Sequence, residues 1–186
     1  MNIQLPAHSD KPSFLAWLQG REGRYELAGG RVLMMTGGTM AHGLIVGNVF
    51  KLLRDQLDQD VWAVLTDFGV DAGPRSIRYP DVMVVGRRGS KAKDLMTATP
   101  AFVVEVLSPS TSAIDLGDKA AEYLRLSSVV AYVVLSQDEI KAWVYIKGST
   151  ESLGPDVIVG EANAIDVSAL GIDLPLSKIY AGIDFD

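Results

Sequence analysis

Two acidic residues of this chain stand where an acidic residue is expensive. Glu105 lies inside Ala-Phe-Val-Val-Glu-Val-Leu, a run from Ala101 to Leu107 that otherwise reads as a strand buried on both faces. An ionised carboxylate there costs several kcal/mol unless a charge, a metal or hydrogen bonds compensate it. Asp81 opens a second apolar strand, Val82-Met83-Val84-Val85, directly after Pro80. If the two strands are neighbours, both carboxylates meet at one end of a sheet, where a hard cation such as Mg²⁺ finds oxygen ligands. The competing reading is a structural salt bridge from Glu105 to an arginine. Lys119 belongs to the same argument. It sits three and four residues from Leu116 and Tyr123, at the edge of an apolar stripe that also holds Ala120 and Leu124. On its own such a lysine reads as one that snorkels. Placed near two carboxylates and a metal, it completes the parts for phosphodiester hydrolysis: a polarised phosphoryl oxygen, an activated water and a cation to offset developing charge.

Other chemistries fall away. The chain has no cysteine, so disulfides, thiolate zinc sites and thiol nucleophiles are excluded. Its two histidines, His8 and His42, are too few for an all-histidine metal cage. Ser108, Ser110 and Thr111 have neither a histidine partner nor a Gly-x-Ser-x-Gly elbow, and read as capping or loop residues. Gly29-Gly30 and Gly37-Gly38 are not followed by Gly-Lys-Ser/Thr and read as turns. His42 shares a helix face with Ile45, Val46 and Val49, which makes it a core or interface residue or one that orients water or phosphate.

The elements that must position these residues follow from periodicity. A short helix is expected over Phe14 to Leu18, then two strands around a glycine turn between Arg24 and Met35. Ile45, Val46, Val49, Leu52, Leu53 and Leu57 recur at helical spacing behind Thr39, a suitable N-cap. Strands are expected at Val61–Thr66, Gly69–Asp71, Asp81–Val85 and Ala101–Leu107, a second helix from Asp115 to Leu126 with Asp115 at its cap, and a hairpin from Val129–Leu135 and Ile140–Ile146. Further short strands and a closing segment through Leu176 and Tyr180 end the chain. Trp17, Trp62 and Trp143 are expected in the core or an interface. The fold class is therefore α/β, with a mixed sheet flanked by helices.

With 186 residues, 48% of them hydrophobic and 22% charged, a single domain without a linker is expected, its core at about 24–146 and an acidic extension at 151–186. The longest wholly apolar run, Val129 to Leu135, is too short to cross a bilayer, and the first residues lack a signal peptide's basic start and apolar core. The expectation is a soluble, cytoplasmic protein. The net charge of −6 argues against tight nucleic-acid binding, yet residues 151–186 alone hold seven acids against Lys178 and account for all of it. Around Asp81 the chain is locally basic, with Arg75, Arg78, Arg87, Arg88, Lys91 and Lys93 set against Asp81 and Asp94. Such a cluster is either a solvated loop or a phosphate-binding patch.

Taken together, Tyr25-Glu26-Leu27 with Gly30, His42 opening a helix, Tyr79-Pro80-Asp81-Val82, the string Val104-Glu105-Val106-Leu107-Ser108-Pro109-Ser110-Thr111, and Asp115, Lys119 and Tyr123 closely resemble a widespread bacterial restriction-endonuclease family of the PD-(D/E)XK nuclease superfamily. The resemblance runs from about Tyr25 to Tyr180. It implies a four-stranded mixed core sheet, a restriction-endonuclease-like fold with additional hairpins, and Mg²⁺ (or Mn²⁺) at its acidic end. Asp81 matches the superfamily's metal-binding aspartate and Glu105 the acidic residue of its (D/E)XK element. The lysine position of that element holds Leu107, and Lys119 on the following helix is the matching lysine. Glu26 matches a recurrent acidic position that supports the metal site. Arg75, Arg78, Arg87 and Arg88 become candidate DNA phosphate contacts, and double-strand cleavage implies a homodimer. The expected activity is metal-dependent DNA hydrolysis. Its rivals are a nuclease-fold binding or regulatory protein without useful turnover, and an oligomerisation protein in which Glu105 and Lys119 are merely paired.

Overall fold

A computed structural model describes residues 8–35, 37–107, 115–148 and 154–185. The first helix, α1 (Lys11–Leu18), starts three residues before the expected point, because Asp10 caps it by accepting from the Ser13 amide at 2.8 Å and Pro12 fits its first turn. Strands β1 (Arg24–Ala28) and β2 (Arg31–Met35) form an antiparallel hairpin on Gly29 and Gly30, whose φ angles of 56° and 88° give the two-residue turn that suits glycine. Helix α2 (Met40–Gln56) is capped by Thr39 and buries Ile45, Val49 and Leu53, as its periodicity requires.

The chain continues through β3 (Trp62–Leu65), β4 (Gly69–Gly73), β5 (Ser76–Arg78), β6 (Val82–Gly86), β7 (Met96–Thr97) and β8 (Pro100–Val106). After residues 108–114, which carry Ser108, Ser110 and Thr111 and lie outside the described residues, a π turn (Asp115–Lys119) leads into α3 (Ala120–Arg125). Then come β9 (Ala131–Leu135), β10 (Lys141–Ile146), β11 (Asp156–Val159), β12 (Ala164–Val167), β13 (Ile172–Pro175) and the short helix α4 (Leu176–Ile179).

These strands form a five-stranded sheet ordered β2-β1-β5-β4-β7, a six-stranded sheet ordered β11-β10-β9-β8-β6-β3, and the β12–β13 pair. The larger sheet is mixed: β8 and β9 run parallel, joined through the π turn and α3, while its other neighbours are antiparallel. It is wider than the four strands implied by the resemblance because β10 and β11 add to it beyond β9. Alternation along its strands sends Val82, Val84, Phe102 and Val104 to a core under α2, and Met83, Val85 and Val103 to a core under α3 and β4. A third core joins α1 to the smaller sheet through Phe14, Tyr25, Leu27, Val32 and Ile77. Trp62 packs against the first of these cores, Trp143 against the second and Trp17 against the third.

The C-terminal segment is no mere acidic extension. Ile165, Val167, Ile172 and Leu174 alternate with exposed Asp166 and Asp173, so one face of β12–β13 completes the α2 core while the other carries charge. Among the described residues no helix is long and apolar enough to cross a membrane.

Tyr180 fastens this end of the chain to the β9–β10 hairpin. Its hydroxyl lies 2.9 Å from the Ser136 carbonyl and 2.7 Å from the Lys141 carbonyl and shares its proton between them. Burial raises the Tyr180 pKa to about 12. A phenol pKa raised on folding means the contribution is complete below the unfolded value of about 10 and is lost as pH climbs through the folded value. Tyr180→Phe should therefore lower unfolding free energy by about 1 kcal/mol at neutral pH, with the gap to wild type closing between about pH 10 and pH 12, as read by urea titration.

Candidate active site

The chain passes from the smaller sheet to the larger one at Tyr79-Pro80-Asp81, between β5 and β6. Asp81 emerges at the start of β6, beside the C-terminal end of β8. The β6–β8 register pairs Val82 with Val104, which sets Asp81 against Glu105 at the next step outward. Asp81 Oδ2 accepts the Val106 amide at 2.8 Å and lies 3.3 Å from His42 Nε2, at the first turn of α2. The two carboxylates singled out in the sequence are thus brought together, at the end of the sheet where the parallel crossover begins.

The smaller sheet supplies the next layer. Glu26 on β1 accepts the Tyr79 amide at 3.0 Å and pairs with Arg78 Nη1 at 3.2 Å. Arg78 Nε pairs with Glu122 on α3 at 2.6 Å, and the same Glu122 accepts from the Ser76 hydroxyl at 2.7 Å. Burial opposes the charge on Arg78, but Glu122 and Glu26 outweigh it and move its pKa upward.

Lys119 closes the constellation. Its ammonium lies 2.9 Å from Asp115, 3.0 Å from Glu105 and 3.7 Å from Glu26, with the side chain only 5% exposed. The π turn makes this arrangement. The carbonyls of Asp115 and Leu116 accept from the hydroxyls of Tyr132 and Tyr145, each at 2.9 Å, which ties the widened turn to the β9–β10 hairpin and holds Asp115 and Lys119 inward. Burial works against the Lys119 charge, yet Glu105, Glu26 and Asp115 together push its pKa up, so it stays an ammonium. Glu105 moves in the opposite sense to an ordinary paired acid. Burial raises its pKa well above the usual carboxylate value, Asp81, Asp115 and Glu26 add to the rise, and Lys119 offsets only part of it. The Tyr123 hydroxyl donates to Glu105 at 3.1 Å.

Four buried carboxylates (Glu26, Asp81, Glu105 and Asp115) and the partly buried Glu122 surround two permanent cations, Arg78 and Lys119. Among the described residues no three His, Asp or Glu side chains form a ready metal cage. Mg²⁺ keeps several waters and uses one or two carboxylates. Asp81 and Glu105, opposed in a region of surplus negative charge, are the residues that could hold such an ion.

The basic cluster expected to bind phosphate does not form one patch. Arg78 is 2% exposed and committed to Glu26 and Glu122, so its role is to hold those carboxylates. Arg87 and Arg88 are exposed beyond the far end of β6, about 20 Å from Asp81 at the usual rise of an extended strand. Arg75 is exposed in the turn between β4 and β5, against Gly30. Residues adjacent in sequence are separated here because a strand carries them to opposite ends of the sheet. Asp115 was expected as a helix cap and instead pairs with Lys119; its spacing of four from that lysine was the available signal. Glu122, one residue before Tyr123, gave no signal beyond a charge on a helix.

Removing one partner of such a cluster leaves buried charge uncompensated. Lys119→Met should lower unfolding free energy by about 3–5 kcal/mol, against a much smaller loss for Lys119→Arg, when both are measured by guanidinium titration.

Comparison with known proteins agrees with this architecture. A solved structure of a putative nuclease belonging to DUF820 from Anabaena variabilis superimposes with a TM-score of 0.78 over 92% of this chain and 97% of its own, at 15% identity, and shares the fold. The "Uncharacterized protein slr1290" of Synechocystis sp. is 25% identical over 176 residues, covering 92% of this chain and 91% of that protein. Residues 12–177, which include every member of the Asp81–Glu105–Lys119 constellation, match the family described as "Uma2: Putative restriction endonuclease", and the chain belongs to that family.

Proposed function

We propose that the protein is a metal-dependent nuclease that hydrolyses phosphodiester bonds in DNA. The observation that carries this reading is the meeting of Asp81 and Glu105 across β6 and β8, with Lys119 3.0 Å from Glu105. Family membership supports a nuclease-like activity, and the metal requirement and the DNA substrate are our extension of it.

In this reading Asp81 and Glu105 hold Mg²⁺ or Mn²⁺, which when bound supplies Lewis acidity and a water of lowered pKa. Lys119, kept charged by three carboxylates, offsets negative charge that develops on the phosphoryl oxygens. Glu26 holds its place through Arg78 and the Tyr79 amide, and sets the position of Lys119 from the side of the smaller sheet. The phosphate approaches from the Asp81 edge. There the side chains of Asp81 and His42 are 10% and 17% exposed, whereas Glu105 and Lys119 lie deeper. Arg75, Arg87 and Arg88 are left to meet only nucleic acid that runs over the surface away from the scissile bond. Cutting both strands of a duplex usually needs two such centres, so the reading includes a homodimer. The edge strand β11, with Val157 and Val159 exposed, is a sheet edge suited to it.

Calorimetric titration with Mg²⁺ and Mn²⁺, beside cleavage of plasmid and single-stranded DNA, tests the proposal. Wild type should bind the metal and cut only in its presence, and Asp81→Asn should lose both properties while remaining folded. No binding at millimolar metal contradicts the proposal. Metal binding with DNA retained uncut would instead favour the non-catalytic binding protein.

A further inference from the structure

We infer that His42, seated against Gly38, is a positioning residue that fixes the Asp81 carboxylate for a divalent cation; this rests on the metal-dependent reading above. The first turn of α2 is anchored at the site end of the larger sheet. The Thr39 hydroxyl accepts the His42 amide at 3.1 Å and donates to Gln137 Oε1 at 2.5 Å. Gln137 follows β9, which ends alongside β8 because Val106 and Leu135 are paired in parallel register. That anchor brings the His42 imidazole, 17% exposed, to the Asp81 edge.

Two groups converge on one oxygen there. Asp81 Oδ2 takes the Val106 amide at 2.8 Å and has His42 Nε2 at 3.3 Å. With Oδ2 hydrogen-bonded to the Val106 amide of the strand and the His42 ring within ion-pair distance of it from the helix, Oδ1 is the oxygen left to face a cation. Groups that orient a metal-binding side chain in this way raise affinity without touching the ion.

Gly38 is the independent sign that the imidazole must sit where it does. A Cβ at position 38 would fall 2.7 Å from His42 Nδ1 and 2.8 Å from its Cγ, closer than carbon side chains approach. Gly38 does not have a left-handed φ, so its backbone conformation is open to alanine. What the glycine provides is room for the ring, pressed between the loop and Asp81.

The test uses the full-length chain and Mn²⁺ as the probe, with calorimetric affinity and the metal-free melting temperature read together for wild type, His42→Ala, His42→Gln and Gly38→Ala. His42→Ala and Gly38→Ala should each weaken Mn²⁺ binding by about 10- to 100-fold and leave the metal-free melting temperature unchanged. His42→Gln, which returns an N–H donor, should recover most of the affinity. Wild-type affinity in both His42→Ala and Gly38→Ala overturns the assignment while leaving the nuclease reading intact. Loss of affinity that tracks a loss of melting temperature, with no recovery in His42→Gln, also overturns it, in favour of a purely structural histidine. Absence of Mn²⁺ binding in wild type overturns both this inference and the reading beneath it.

Discussion

Lys119 is held by carboxylates from three different parts of the chain, and the site exists only where those parts meet. Glu105 comes from the central strand β8, Glu26 from the smaller sheet and Asp115 from the π turn. A buried ammonium is tolerated because these oxygens replace its water, and the oxygens are tolerated because the ammonium stands among them. Neither half is stable alone in such a setting. The docking of the two sheets and the path of the chain after β8 are therefore coupled to one charge. Arg78 repeats the arrangement one layer away, binding β1 to α3 through Glu26 and Glu122.

Neutralisation is nevertheless incomplete. Five carboxylates face two permanent cations, and Glu105, opposite Asp81 across β6 and β8, is pushed toward its protonated form. A core evolved only for stability has little use for surplus buried acid, because apolar residues of similar volume serve as well or better. The surplus is placed at the end of the sheet where the chain crosses between β8 and β9, and solvent reaches the cluster there through Asp81 and His42, whose side chains are 10% and 17% exposed. Energetic expense and access coincide there, which is the usual mark of a functional site.

Much of this was legible in the sequence for a definite reason. An acidic residue inside Ala-Phe-Val-Val-Glu-Val-Leu breaks a local rule, and a broken rule has to be compensated by something specific. The lysine at the edge of the α3 stripe and the N-cap at Thr39 followed from periodicity, which depends only on neighbours along the chain. What could not be read depended on tertiary placement. Arg78 and Arg87 look like one basic patch in sequence, yet one closes an ion pair in the core and the other lies beyond the far end of β6. Asp115 resembled a cap because a helix start with an acid ordinarily is one, and tyrosine hydroxyls of the β9–β10 hairpin, bound to the Asp115 and Leu116 carbonyls, turned it inward. The contribution of residues 164–180 to the α2 core was masked by the charge on their opposite face.

On the proposed reading, a divalent cation that Asp81 and Glu105 would hold offsets the negative surplus at the end of β8. Diffraction from crystals grown with Mn²⁺, with data collected at the manganese absorption edge, tests it most directly. An anomalous peak beside the Asp81 and Glu105 carboxylates is the expected result. Anomalous density only elsewhere on the molecule, or none with both carboxylates well ordered, would contradict it.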